Sequence, residues 1–105
     1  MAWLLDARGK VVGSAAGVST AIWLVRANRS GPLYAPGGLS IWLGLCEEAG
    51  GVVVSLSKEW EVESVRELDR FRPWIVYSRS TVLYIPRHLL AMGVPKIGDR
   101  MEIRG

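Results

Sequence analysis

His88 is the only histidine and Cys46 the only cysteine in the 105 residues, so nucleophilic or metal-based chemistry would have to be built on one of them. No Gly-x-Ser-x-Gly elbow surrounds a serine. Cys46 has no second thiol at a metal-ligand or redox spacing, and Gly37-Gly38 lacks the Lys and Ser/Thr that complete a phosphate-binding loop. His88 reads as a solvated or helix-capping side chain, and Cys46 as a small buried hydrophobe. The pattern predicts a protein that is not an enzyme, with no cofactor and no metal.

The chemistry that remains is that of arginine. The net charge is +3, but it is unevenly spread. Between Lys58 and Asp69 the acids Glu59, Glu61, Glu63, Glu67 and Asp69 outweigh Lys58 and Arg66, whereas from Arg70 onward seven basic residues face only Asp99 and Glu102. A basic end beside an acidic stretch suggests an anionic partner for one face. Guanidinium groups suit that work because they stay charged at any relevant pH and offer paired donors to phosphate oxygens.

The elements that must position these groups are clearest between Ser80 and Ile103, STVLYIPRHLLAMGVPKIGDRMEI. Val82 to Ile85 reads as a half-buried strand. Pro86 ends it, having no donor for the ladder, and suits a first helical position. Arg87 to Met92 has room for a turn or two of helix, closed by Gly93. Gly98-Asp99 marks a turn, and the alternation from Arg100 to Arg104 predicts a last strand with one wet face.

Strand, Ile85-Pro86, short helix ending in Gly93-Val94, then Gly98-Asp99 before a final strand resembles the AbrB-like (SpoVT/AbrB, MazE-type) swapped-hairpin domain over Trp74 to Ile103. A weaker copy lies fifty positions earlier, where Leu33-Tyr34-Ala35-Pro36 matches Leu83-Tyr84-Ile85-Pro86, and Trp23-Leu24-Val25 matches Trp74-Ile75-Val76. Further on, Gly44-Leu45 stands for Gly93-Val94 and Val52-Val53-Val54 for Met101-Glu102-Ile103, while Arg29-Ser30 matches Arg79-Ser80. Gly37-Gly38 replaces Arg87-His88 and is a poor helix start. Two copies indicate a duplication rather than an array.

The fold class expected is therefore mostly β with short helices: a swapped-hairpin β-barrel whose tandem duplication forms a single-chain pseudo-dimer. One compact domain would hold a degenerate first copy over 1–57, with an extra amino-terminal strand, and a second copy over 58–105. Trp3 to Asp6 is read as that extra strand, turning at Ala7-Arg8-Gly9-Lys10 into Val11-Val12, and as pairing where the second copy lacks a fourth strand. Val11 to Val25 is uncharged but shorter than the roughly 20 residues of a spanning helix. It reads as a loop leading into a strand at Ile22 to Arg26, not as a membrane or signal segment. Ser57-Lys58-Glu59 turns the chain into a strand from Trp60, and Ser64 caps a short helical connection with Glu67 three places on. The tryptophans at 3, 23, 42, 60 and 74 lie within apolar patterns and read as core or interface.

What the resemblance implies is a small DNA-binding protein, a transcriptional regulator or chromosomal protein, that holds double-stranded DNA through turn arginines. Carried onto this chain, these are Arg79 in the turn before Val82, its repeat partner Arg29, and Arg87 after Pro86, with Arg26, Arg70 and Arg72 flanking the same ends. Many members place Gly-Arg where this chain has Thr81-Val82. The alternative implied is a protein-interaction module, such as an antitoxin that binds a toxin or a self-associating copy. Arg29 and Arg79 on one surface would favour DNA, and an apolar patch over Gly37 to Leu45 would favour a protein partner. The lone cysteine places the chain in a reducing, cytoplasmic compartment. The absence of glutamine, a single asparagine and the excess of Arg over Lys fit a thermophile source.

Overall fold

The computed structural model describes residues 2–17, 22–25, 31–44, 51–68, 73–90 and 93–105. They form β1 (Ala2–Leu5), β2 (Val11–Gly17), β3 (Ile22–Val25), β4 (Leu33–Gly44), β5 (Gly51–Leu56), β6 (Val62–Glu67), β7 (Trp74–Pro86) and β8 (Glu102–Arg104), with one 3-10 turn at Arg87–Leu89. The protein is mostly β. Its eight strands make one curled, half-barrel sheet in the order β6-β5-β7-β4-β2-β1-β8, and β3 pairs with the outer end of β4.

β5 lies between β6 and β7, and all six of its residues are buried. Side chains alternate across a strand, so β5 feeds two cores at once. Val52, Val54 and Leu56 join Leu4, Val62, Leu83, Ile85 and Met101 inside the curl. Val53 joins Ala35, Trp42, Leu68, Val76, Val82 and Tyr84 on its outside. β7 splits in the same way, with Leu83 and Ile85 facing inward and Val82 and Tyr84 outward.

Two devices bend this sheet. β4 is twelve residues long and β7 thirteen, and their antiparallel register shifts between Pro36 and Gly38. A bulge of this kind inserts one residue and exchanges the faces beyond it. The extra residue is on β7, where Thr81 to Ser78 takes three steps against two from Pro36 to Gly38, so Arg79 and Ser80 together face Gly37. Gly37 stands there because a Cβ would lie 2.8 Å from the Arg79 carbonyl oxygen. A second bulge, between Ser55 and Leu56, lets Val62 and Val65, three apart, both face the inner core.

The edges of the curl meet at one end. Val62 N–H donates to Asp99 O at 2.8 Å, Gly98 N–H to Val62 O at 2.9 Å, and Met101 N–H to Trp60 O at 2.9 Å. On the other side β1 pairs antiparallel with β8 through Trp3↔Arg104 to Leu5↔Glu102. The amino-terminal strand thus forms and closes against the last strand, as the sequence predicts. The basic turn forms as well, with Asp6 Oδ1 accepting the Arg8 and Lys10 N–H groups at 2.9 Å each.

Several expectations are overturned. Arg79-Ser80 is not a turn, since β7 runs unbroken from Trp74 to Pro86. Within the bulge, Ser78 Oγ accepts the Ser80 N–H at 3.2 Å and ties the bend down without reversing the chain. Residues 37–44 are strand rather than a degenerate helix, because their pairing with β7 outweighs the glycines' weak strand preference. Val11–Gly17 is strand β2 and not a loop. Ser64 does not cap a helix: β6 continues to Glu67 in register with β5, and Ser64 Oγ meets Ser55 Oγ at 2.7 Å. The helix after Pro86 shrinks to Arg87–Leu89, although Gly93 takes the positive φ asked of it, 114°. Cys46 lies outside the described residues.

Gly51 gives the sharpest test of this packing. Its φ is 120°, and a Cβ there would run into the Ile85 carbonyl. Gly51→Ala is expected to cost about 3 kcal/mol or more in urea unfolding. Gly9→Ala, at positive φ but with open space around it, is expected to cost only about 1 kcal/mol.

Candidate functional site

Beyond the bulge, β4 and β7 leave the half-barrel as a ribbon, joined by β3 in register Ile22↔Ile41 and Leu24↔Leu43. Its inner face is fixed by polar side chains. Ser40 is 4% exposed and Ser78 2% exposed, so each needs partners. Trp42 Nε1 donates to Ser40 Oγ at 2.8 Å, Ser40 Oγ donates to Val76 O at 3.3 Å, and Ser78 Oγ donates to Leu56 O at 3.0 Å. Trp42 also stacks on Tyr84, with ring centroids 6.1 Å apart.

With that face held inward, alternation sends the other outward. Leu39 is 66% exposed, Ile75 67% and Tyr77 61%. They are cross-strand neighbours, because Leu39 pairs with Tyr77 and Ile41 with Ile75. Half-buried Ile41 and Leu43 continue the stripe along β4, and exposed Arg79 ends it along β7. The ribbon therefore presents an apolar surface beyond the bulge.

Beside this face, β6 and the outer half of β7 enclose a cleft of about 340 Å³, lined by Glu63, Ser64, Arg66, Ile75, Tyr77 and Arg79 among others. Trp74 closes one end, its Nε1 donating to Glu67 O at 2.7 Å and its ring lying 5.3 Å from the Arg66 guanidinium carbon.

Of the arginines read from the sequence, Arg79 borders the apolar face and Arg87 lies exposed on the 3-10 turn at the other end of the β7 inner half. No described contact joins them. Arg26, Arg29, Arg70 and Arg72 lie outside the described residues. His88 is exposed next to Arg87. Among the described residues no three His, Cys, Asp or Glu side chains gather as a metal site would require, and no helix is long and apolar enough to cross a membrane.

Sequence reasoning placed Leu39 in a possible apolar patch but missed Ile75 and Tyr77 as surface residues. A signal was present, since Trp74-Ile75-Val76-Tyr77 is apolar at both parities. A strand of that kind has both faces covered, or leaves one bare for a partner.

No family model matches the chain, and neither the curated proteins nor the solved structures contain a match.

One titration reports on the core beneath the ribbon. Burial raises the Tyr84 phenol to about 12, with the Arg87 charge opposing the shift. A tyrosine raised above its ordinary value of about 10 stabilises the fold fully below pH 10, and that contribution is lost as pH rises from 10 to 12. Absorbance at the phenolate band is expected to show Tyr84 ionising near pH 12 together with unfolding. In Tyr84→Phe the fall in stability across pH 10 to 12 is expected to flatten.

Proposed function

We infer that this chain is a non-enzymatic protein-interaction module whose docking face is the outer side of the β4–β7 ribbon. The observation that carries the reading is the exposure of Leu39, Ile75 and Tyr77 side by side on one sheet face. Together they present on the order of 400 Å² of side chain. That is about half of the roughly 800 Å² each partner buries in a stable complex, so the patch supplies the dry centre and its borders supply the rest.

The chemistry of the borders specifies the partner. Tyr and Arg are the residues most often found as binding anchors, and here Tyr77 and Arg79 stand two apart on the same exposed face. Arg79 makes no ion pair among the described residues. The partner is another protein offering an apolar segment with a carboxylate placed to meet Arg79. Exposed Leu39 and half-buried Ile41 and Leu43 fall within the stretch Gly37 to Leu45 whose apolar exposure favours a protein over DNA, and the face extends onto β7.

The reading includes the tandem swapped-hairpin architecture, for which the pairing Leu33↔Tyr84 and Tyr34↔Leu83 is support. In it each copy's Leu-Tyr pair lies across the other's, as a pseudo-twofold relation requires. A reducing, cytoplasmic setting follows from the lone cysteine.

Selection of displayed peptides on the immobilised full chain is expected to yield apolar sequences flanked by Asp or Glu. Ile75→Ser, Tyr77→Ala and Arg79→Glu should each weaken the selected peptides about tenfold or more. Peptides indifferent to all three changes would remove the ribbon as the docking face. Binding of a mixed-sequence duplex, with affinity falling steeply between about 50 and 200 mM salt, would replace this reading with the DNA-binding one.

A further inference from the structure

At the end of the half-barrel farthest along β7 from the ribbon, a groove of about 610 Å³ lies between the β1–β2 turn, the 3-10 turn and the segment leading into β8. Its volume falls in the range of roughly 300–1,000 Å³ typical of small-molecule sites. The floor is the inner core itself, reached at Ile85 and Met101, which are 1% and 7% exposed. Two further apolar side chains, Val11 and Val94, line it while remaining 52% and 41% exposed. The β1–β2 turn contributes Arg8 and Lys10, and the last segment Arg100, all exposed.

The charge balance narrows the ligand. The acids lining the groove are Asp6 and Asp99, so three cations against two carboxylates leave one net positive charge, with His88 neutral. Both acids are tied to their own turns. Asp6 Oδ1 accepts the Arg8 and Lys10 N–H groups, and Asp99 Oδ2 accepts the Lys96 N–H at 2.9 Å. Neither pairs with the three cations, which make no ion pair among the described residues.

We propose that this groove binds a small amphipathic monoanion, a carboxylate on an unbranched apolar chain. The carboxylate sits among Arg8, Lys10 and Arg100, and the chain lies over Ile85 and Met101 between Val11 and Val94. Guanidinium groups offer paired donors that match the two carboxylate oxygens. The apolar body covers Val11 and Val94, which otherwise face water. Nothing in this proposal depends on the ribbon, which lies at the opposite end of β7.

The test titrates the full chain with decanoate, decyltrimethylammonium and inorganic phosphate, followed by calorimetry and by amide shifts in a nitrogen-15 spectrum. Decanoate is expected to bind with a Kd below about 1 mM, moving the amides of Val11, Val94 and Met101. Arg8→Glu combined with Arg100→Glu is expected to weaken it at least tenfold, with thermal unfolding unchanged because both side chains are exposed. Lys10→Glu alone provides an independent check and should weaken it severalfold. The proposal fails if decyltrimethylammonium binds as well as decanoate, which would make the groove a non-selective apolar surface. It also fails if phosphate displaces decanoate completely at equal concentration, since the apolar chain would then contribute nothing, or if the shifted amides are those of Leu39, Ile75 and Tyr77.

Discussion

The structure depends on β5 being buried on both faces. A short run of Val and Leu with no charge can be kept from water on both sides only if the sheet curls around one face and a second layer covers the other. The inner core built on Val52, Val54 and Leu56 provides the curl, and the outer core built on Val53 provides the cover. The long strands β4 and β7 follow from this. Each must serve the half-barrel with one half and fold back over β5 with the other.

That double duty explains where the polar groups lie. Bending a two-stranded ribbon back across the sheet buries Ser40 and Ser78; Ser40 is satisfied by Val76 O of its ribbon neighbour, and Ser78 by Leu56 O of β5. Buried hydroxyls left without partners would cost on the order of 1–3 kcal/mol each. The Ser78 bond therefore acts as a facing rule, since turning the ribbon over would strand that serine and expose Trp42. The apolar outer face is the other side of the same rule. Leu39, Ile75 and Tyr77 face water because the opposite face carries Trp42, Val76 and the partnered serines into the outer core.

The two candidate surfaces also differ for a physical reason. The ribbon face is flat and apolar, ending at Arg79 with Glu63 and Arg66 in the cleft beside it, which suits another sheet or strand laid across it. The groove is concave and ringed by charge, which suits a small molecule held at one end. They lie at opposite ends of β7, so one strand links a surface for a large partner to a pocket for a small one. Tyr84 lies near the groove end of that strand, packed in the outer core and within the field of Arg87.

The sequence by itself determined the strands whose patterns are local: β1 with its basic turn, β5, β6 to Ser64, the inner half of β7, and the closing alternation at β8. It also determined that Trp42, Trp60 and Trp74 pack against the core, because residues of that size within apolar runs have few other stable places, whereas Trp3, read in the same way, is 43% exposed. The site was less legible. Arg79 could be named but was placed in a turn, and the apolar face was expressed only as a possible patch on the β4 side. Only the tertiary structure decided that Arg79 lies within a thirteen-residue strand and that residues 37–44 extend rather than coil. It alone decided which side of the ribbon faces water. The reason is that a bulge of one residue exchanges the two faces of a strand. Whether a bulge forms at Pro36 to Gly38 depends on a neighbour more than forty residues away, whose backbone leaves no room for a side chain at Gly37.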